Sequence, residues 1–203
     1  MSKKPYFKLT LCLLAALLLA CVPALALRAR LEQRRLAAGL IRLHVTANSD
    51  AAADQAKKLE VRDAVLPVIG RLTEDCASAG EAEQRLLAGF PVLEAAARGV
   101  LGPEDGGVRL SLGEEIFPRR DYPTFSLPAG PYRALRVVIG EGRGHNWWCV
   151  AFPALCIPAD GDDFSDAARA AGLEEDQVEF MRAETPAVRL RFRLLDWLSA
   201  LFD

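Results

Sequence analysis

The hydrophobic positions of the chain follow two periods, and each period predicts one kind of secondary structure. Apolar and polar residues alternate over positions 41–47, which is typical of a half-buried strand and places His44 on its polar face. Valine and leucine recur every third or fourth residue over positions 61–72, which predicts an amphipathic helix. The short polar side chains at positions 48–50 offer this helix an N-cap, and Pro67 is expected to kink it or to end its first half.

Further elements follow from the same two periods and from the glycines and prolines between them. A glycine- and proline-rich turn near residues 102–107 separates a helical first half from a β-rich second half, and a proline-punctuated connection over residues 118–131 is expected to be exposed. The remaining predictions are helices over 80–88, 91–100 and before 183, and strands over 108–112, 132–139, 148–152 and 188–194. This order predicts an α+β fold with helices packed mainly on one face of a mixed β-sheet.

The N-terminus has the composition of an export signal. Three lysines within the first eight residues precede an uncharged apolar run over residues 9–27. Three outcomes stay open, namely cleavage after Ala26, retention as a membrane span of about 20 apolar residues, and lipidation at Cys21. We therefore expect a signal peptide or membrane anchor over residues 1–27, a polar stalk over residues 28–39 and a single α+β domain over residues 40–203.

Composition and charge narrow the classes of partner. The chain has 203 residues, of which 51% are hydrophobic, so it is long enough to bury one hydrophobic core of ordinary size. Its formal net charge of -2 supplies no basic field for a phosphate backbone, and no nucleic-acid partner is expected. The part beyond residue 27 is acidic, so any attachment to the membrane is expected to come from the N-terminal segment.

The most specialised stretch of the chain covers residues 136–156, which combine glycines, a histidine, two tryptophans and two cysteines. Gly140, Gly142 and Gly144 do not have the spacing of a dinucleotide loop and no helix follows them, so they predict a tight irregular loop. Pro153 lies between Cys149 and Cys156 and favours a turn that would allow a disulfide in an oxidising compartment. Cys76 is interpreted as a small buried hydrophobic residue of a helix.

Catalytic and metal sites have no positive signal in the sequence. His145 and Cys149 in an extended segment would lie roughly 13 Å apart, too far for an activated thiolate. His44, His145, Cys149 and Cys156 do not have a metal-ligand spacing. Adjacent carboxylates, as at positions 114–115 and 162–163, are more typical of a solvated surface, and no distant partner can be identified for them. The sequence therefore predicts no catalytic residue, no metal and no cofactor.

Recognition is the remaining interpretation of this stretch. Trp147 and Trp148 are neighbours in a predicted strand, so their side chains point to opposite faces of the sheet. We expect one ring to enter the core and the other to stay outside, where an exposed tryptophan is a good interface anchor. A second interpretation, in which both rings belong to the core, stays open.

Four segments of the chain are similar to the stage II sporulation protein R family of endospore-forming Firmicutes. They are IRLHVTANSD at residues 41–50, DQAKKLEVRDAVL at 54–66, LPAGPYRALRVVIGEGRGHNWWCVAFPALC at 127–156, and the ending VRLRFRLLDWL. The resemblance implies a signalling protein and not an enzyme. Such a protein is made in the forespore, is exported across the forespore membrane into the intermembrane space, and activates a membrane-embedded aspartic protease that processes pro-sigma-E. No small-molecule substrate is expected.

If the protein is a signal that binds a protease, the unusual polar and aromatic residues of the predicted strand over 41–47, of the segment after it and of the glycine loop become candidates for partner binding. They are His44, Asn48, Asp50, Glu141, Arg143, His145, Asn146, Trp147 and Trp148. Two alternative functions stay open, namely a cell-envelope hydrolase that uses His145 and Asp50, and a wall-binding module.

Overall fold

The structure is a computed structural model, and it describes residues 21, 23–122, 125–155, 165–166, 168–169 and 172–182. Most of the apolar run over residues 9–27, the strand predicted over 188–194 and Cys156 lie outside these residues. Within the described part, no helix is both long and apolar enough to cross a bilayer. The division of the chain into signal, stalk and domain stays a prediction.

The described residues include five α-helices, a short 3-10 helix at Pro103–Asp105 and six strands. The helices are α1 over residues 23–38, α2 Ala52–Thr73, α3 Ala79–Ala88, α4 Phe90–Arg98 and α5 Glu175–Arg182. The strands are β1 Ile41–Thr46, β2 Val108–Phe117, β3 Arg120–Asp121, β4 Ser126–Leu127, β5 Gly130–Ile139 and β6 Asn146–Phe152. The predicted helices and strands that fall within the described residues are therefore present, with ends shifted by a few residues.

The main sheet has the strand order β2, β5, β1, β6. β1 is parallel to β5, whereas β1 with β6 and β2 with β5 are antiparallel, so the sheet is mixed. This confirms the α+β class and the mixed sheet. In the register, His44 lies opposite Arg136 on one side and Trp148 on the other, so residues that are 104 positions apart in sequence share one row.

Helices α2, α3 and α4 pack on the first face of the main sheet. The predicted stripe of α2 is confirmed, because Val61, Val65 and Val68 are buried against this face. The prediction of an N-cap among residues 48–50 was wrong, because the N-cap is Ala51, without a side-chain capping bond. Of the two outcomes expected at Pro67, an end of the helix there was wrong, because α2 continues through Pro67 to Thr73. Cys76 is buried as predicted, but it lies in the turn between α2 and α3.

The second face is also partly covered, which the strand pattern did not predict. Helices α1 and α5 and the β3–β4 hairpin form a second core here, so helices lie on both faces. The members of this core include Leu36, Leu40, Phe117, Phe125, Leu127, Tyr132, Val178 and Met181. All six residues of β1 are buried, so the expectation of a half-buried strand was wrong. The connection over residues 118–131 is not simply exposed either, because Phe125 and Leu127 are buried.

Arg42 on β1 lies at the centre of the second core and has no exposed surface. Its Nε donates to the carbonyl oxygen of Cys149 at 3.0 Å and its Nη2 donates to the hydroxyl of Tyr122 at 2.8 Å. The guanidinium also stacks over the ring of Phe117 at 4.3 Å. Burial lowers the pKa of Arg42, because a charged group loses hydration in the core.

Candidate functional site

The loop between β5 and β6 packs tightly against the segment that follows β1. The Arg143 amide donates to the carbonyl of Asn48 and the Gly144 amide donates to the carbonyl of Ala47, both at 3.0 Å. Gly140 and Gly142 have φ angles of 53° and 68°, a left-handed region that favours glycine. The predicted irregular glycine loop is therefore confirmed, and backbone hydrogen bonds fix its path.

Asn48 joins this loop to the start of α2. Its Oδ1 accepts from the Glu141 amide at 2.9 Å, while its Nδ2 donates to Asp54 Oδ2 at 2.9 Å. Ser49 Oγ also donates to Asp54 Oδ2, at 2.5 Å. These two donors hold the pKa of Asp54 below its ordinary value, with Ser49 as the larger cause. Asn48 and Ser49, two of the three side chains expected to cap α2, therefore bind a carboxylate of its first turn instead.

Asp50 and His145 meet above this junction. Asp50 Oδ1 accepts from the His145 amide at 2.6 Å and also contacts His145 Nδ1. The amide hydrogen bond is the main reason why the pKa of Asp50 lies below its ordinary value. Lys58 Nζ, on a buried side chain of α2, donates to the carbonyl of His145 at 3.0 Å. Desolvation lowers the pKa of this lysine. The loop is thus tied to α2 as well as to β1.

The loop presents charged and polar side chains to solvent although its backbone is fixed. The side chains of Glu141, Arg143 and His145 are 64%, 76% and 79% exposed, and Asn146 is exposed as well. Glu141 and Arg143 form an ion pair with each other. No group of three or more His, Cys, Asp or Glu side chains among the described residues could hold a metal ion. The arrangement presents exposed polar side chains on a backbone that is held by hydrogen bonds.

The two tryptophans lie on opposite faces of β6, as predicted, but the expectation of one buried and one exposed ring was wrong. Both are half-buried. Trp147 packs against the first core, with the guanidinium of Arg62 4.3 Å from its ring centre. Trp148 packs against the second core, with Arg120 3.9 Å from its ring centre. Each ring therefore lies at the edge of a core, and an arginine side chain lies over it.

His44 is separated from the loop surface to which the sequence analysis assigned it. It is only 5% exposed, on the second face of the sheet, with its ring 5.8 Å from that of Trp148. Its Nε2 lies 3.1 Å from Thr46 Oγ1, and its Nδ1 lies 2.7 Å from Glu115 Oε1 without hydrogen-bond geometry. A buried imidazole beside a carboxylate has no access to a partner, so this assignment was wrong.

The structure describes only part of the predicted disulfide. Cys149 is buried, and the free cysteines among the described residues are Cys21 and Cys76. Pro153 is buried directly after β6 and follows a cis peptide bond. Because Cys156 lies outside the described residues, the bridge from Cys149 to Cys156 stays a prediction.

Comparison with known proteins gives one consistent answer. The model of the family described as stage II sporulation protein R matches residues 37–161. The stage II sporulation protein R of Bacillus subtilis (strain 168) is 31% identical, over 80% of this chain and 81% of that protein. The chain belongs to the stage II sporulation protein R family. No solved structure matches the chain.

The matched region of this stage II sporulation protein R family member contains β1, α2 and the whole loop between β5 and β6. Three contacts near the site were not predicted from the sequence. Asp54 accepts from Asn48 and Ser49, Lys58 donates to the carbonyl of His145, and Arg62 lies over the ring of Trp147. All three lie in the segment DQAKKLEVRDAVL that carries the family resemblance. Their position in that segment was the available signal, but helix periodicity gives no sign of the contacts that Lys58 and Arg62 make with residues more than 80 positions later.

Proposed function

We propose that this protein is an exported signal between the two compartments of a sporulating cell. It is made in the forespore, crosses the forespore membrane into the intermembrane space, and there activates the membrane-embedded aspartic protease that processes pro-sigma-E. In this proposal the protein binds and activates the protease but is not itself an enzyme. Membership of the stage II sporulation protein R family and the export-like composition of residues 1–27 support it.

The observation that carries the choice of binding surface is the loop over residues 140–145. Its backbone is fixed by hydrogen bonds to residues 47–50, whereas Glu141, Arg143 and His145 keep more than half of their side-chain surface exposed. A surface that is ordered before binding loses little conformational entropy when the partner docks. We infer that these side chains, with Asp50 and Asn146, contact the protease.

The test is co-expression of the full chain with the candidate protease and a sigma precursor. Processing is expected to depend on this chain. Arg143→Ala and His145→Ala are the informative variants, because both side chains are exposed and their loss leaves the two cores intact. Alanine at Trp147 or Trp148 is less informative, since each ring packs against a core and its loss would also destabilise the fold.

Arg85→Ala is the matched control. Arg85 is an exposed arginine in a local ion pair, as Arg143 is, but it lies on α3. We expect Arg143→Ala and His145→Ala to reduce processing at least about tenfold, as removal of a binding hot spot does, while Arg85→Ala processes normally. Normal processing by folded variants at both loop positions would remove this surface from the proposal. Processing without the chain would remove the proposed function itself.

One observation favours a second candidate, the cell-envelope hydrolase. Asp50 contacts His145 Nδ1, a contact of the kind that orients an imidazole as a general base, and the His145 side chain is largely exposed. Incubation of the purified protein with cell-wall material distinguishes the two candidates. Release of fragments that disappears in Asp50→Asn would favour the hydrolase, whereas the signalling proposal expects no fragments.

A further inference from the structure

The second face of the main sheet has an open end that carries arginines. Arg109 and Ser111 on β2 and Arg136 on β5 are exposed. In the register, Arg109 lies opposite Val138 and Ser111 lies opposite Arg136, so the two arginines are diagonal neighbours on adjacent strands. Arg136 and His44 both approach Glu115, which places Arg136 on the second face.

None of the elements given above covers the surface over Ser111 and Gly113 on β2 within the described part of the chain. A Cβ atom added at Gly113, two residues from Ser111 on the same strand, meets no atom of the described residues within 4 Å. Side chains two positions apart on a strand share a face. Ser111 and Gly113 therefore line a part of the sheet, beside Arg136, that no other described residue covers.

Trp148 and Arg120 close the other side of this surface. The half-buried Trp148 ring packs against Phe117 and His44, with ring centres 6.2 Å and 5.8 Å away. The exposed Arg120 lies over it at 3.9 Å from the ring centre. An aromatic ring that is supported from below and flanked by a cation is a suitable anchor for a bound polypeptide.

The charge of this surface is opposite to that of the chain. The acidic side chains nearest to these arginines are already engaged. Glu115 lies 2.7 Å from His44 and 3.5 Å from Arg136. Asp121, next to Arg120, pairs with Arg119. No ion pair among the described residues includes Arg109 or Arg120. The chain as a whole has a formal charge of -2. The arginines are thus a local positive surface on an acidic protein.

We propose that this arginine face, formed by Arg109, Ser111, Arg120, Arg136 and Trp148, binds an acidic, extended segment of a partner protein. Diagonal neighbours on adjacent strands lie about 7–8 Å apart, and alternate side chains of an extended peptide repeat about every 7 Å. Carboxylates at alternate positions of the peptide therefore match the arginine spacing, and guanidinium groups bind carboxylates through paired hydrogen bonds. The face is distinct from the loop surface and does not require the protease to be the partner.

The test is fluorescence anisotropy with a labelled ten-residue peptide of alternating glutamate and threonine, titrated with the full chain in neutral detergent at low ionic strength. Peptides with glutamine or lysine in place of glutamate are the probe controls. The test variant is Arg109→Gln combined with Arg136→Gln. Arg71→Gln is the matched control, because Arg71 is an exposed arginine on α2 and α2 packs on the opposite face of the sheet.

We expect saturable binding of the glutamate peptide alone, a loss of at least about tenfold in the double variant, and no change in Arg71→Gln. Added salt should weaken binding, since exposed charges are screened. Absence of saturable binding overturns the proposal, as does an equal loss in Arg71→Gln. Binding to phosphatidylglycerol vesicles without binding to the glutamate peptide would also overturn it, and would assign the arginines to a lipid surface instead.

Discussion

Gly144 lies where the loop between β5 and β6 touches the segment after β1, and replacement by alanine is expected to separate the two. A Cβ atom at this position would lie 2.6 Å from the carbonyl carbon of Ser49 and 2.9 Å from Ala47 Cβ. Carbon atoms in contact prefer about 3.5–4.0 Å. Because the obstacle is mostly backbone, no side-chain rotation relieves the clash, and the loop must move away.

The magnitude follows from the hydrogen bonds that the movement breaks. They are the bonds from the Gly144 amide to Ala47, from the Arg143 amide to Asn48, and from the Glu141 amide to the Asn48 side chain. At about 1 kcal/mol each, their loss lowers the free energy of unfolding by about 3 kcal/mol. Urea-induced unfolding followed by tryptophan fluorescence measures this value, and hydrogen exchange of the Arg143 and Gly144 amides shows whether the loop has opened.

Gly113→Ala is the matched control for this substitution. A Cβ atom at Gly113 meets no described atom within 4 Å, and alanine restricts the unfolded chain more than glycine does. We therefore expect Gly113→Ala to leave the free energy of unfolding unchanged or to raise it by up to about 1 kcal/mol. A difference of less than about 0.5 kcal/mol between the free energies of unfolding of Gly144→Ala and Gly113→Ala, with both loop amides still protected, would contradict this prediction.

Three further predictions concern buried charge, pH and redox state. Arg42→Met should change the free energy of unfolding by less than about 1.5 kcal/mol, because a methionine fills the space without a buried charge. Arg42→Ala leaves a cavity and should lower the free energy of unfolding by about 3 kcal/mol or more, and equal effects in urea titrations would contradict this. Since the folded pKa of Asp50 is depressed, its hydrogen bond to His145 stabilises the loop at neutral pH and is lost as the pH falls through that lowered pKa. The amide chemical shift of His145 should show this acidic transition and should lose it in Asp50→Asn. Thiol labelling of the exported protein without reductant should modify neither Cys149 nor Cys156, and full labelling of both would exclude the predicted disulfide.

Local periodicity in the sequence was sufficient to predict the elements of the first half of the fold. The alternation over residues 41–47 and the stripe over residues 61–72 correspond to β1 and α2, because side-chain direction repeats with the period of each element. The same local information left open whether α2 would end at Pro67 or continue through it, and the helix continues. The local pattern also identified the glycine loop, because its irregular path requires residues that tolerate positive φ angles.

The second face of the sheet could not be predicted in this way. Arg42 and His44 are read from the sequence as the solvent side of a strand, yet both are buried. The residues that cover them belong to α1, α5 and the β3–β4 hairpin, and nothing in the alternation of β1 specifies these distant segments. A polar residue on a strand is exposed only if no other element packs over that face.

The candidate site shows the same division between local and long-range information. The sequence by itself determined which residues are unusual, including Asp50, His145 and the two tryptophans, and it determined the family. Tertiary structure decided that Asp50 and His145 touch although they are 95 positions apart, that both tryptophans are half-buried, and that His44 is remote from the loop surface. The physical reason is the register of the sheet. It brings the end of β1 beside the loop between β5 and β6, and this long-range pairing cannot be inferred from the period of either segment.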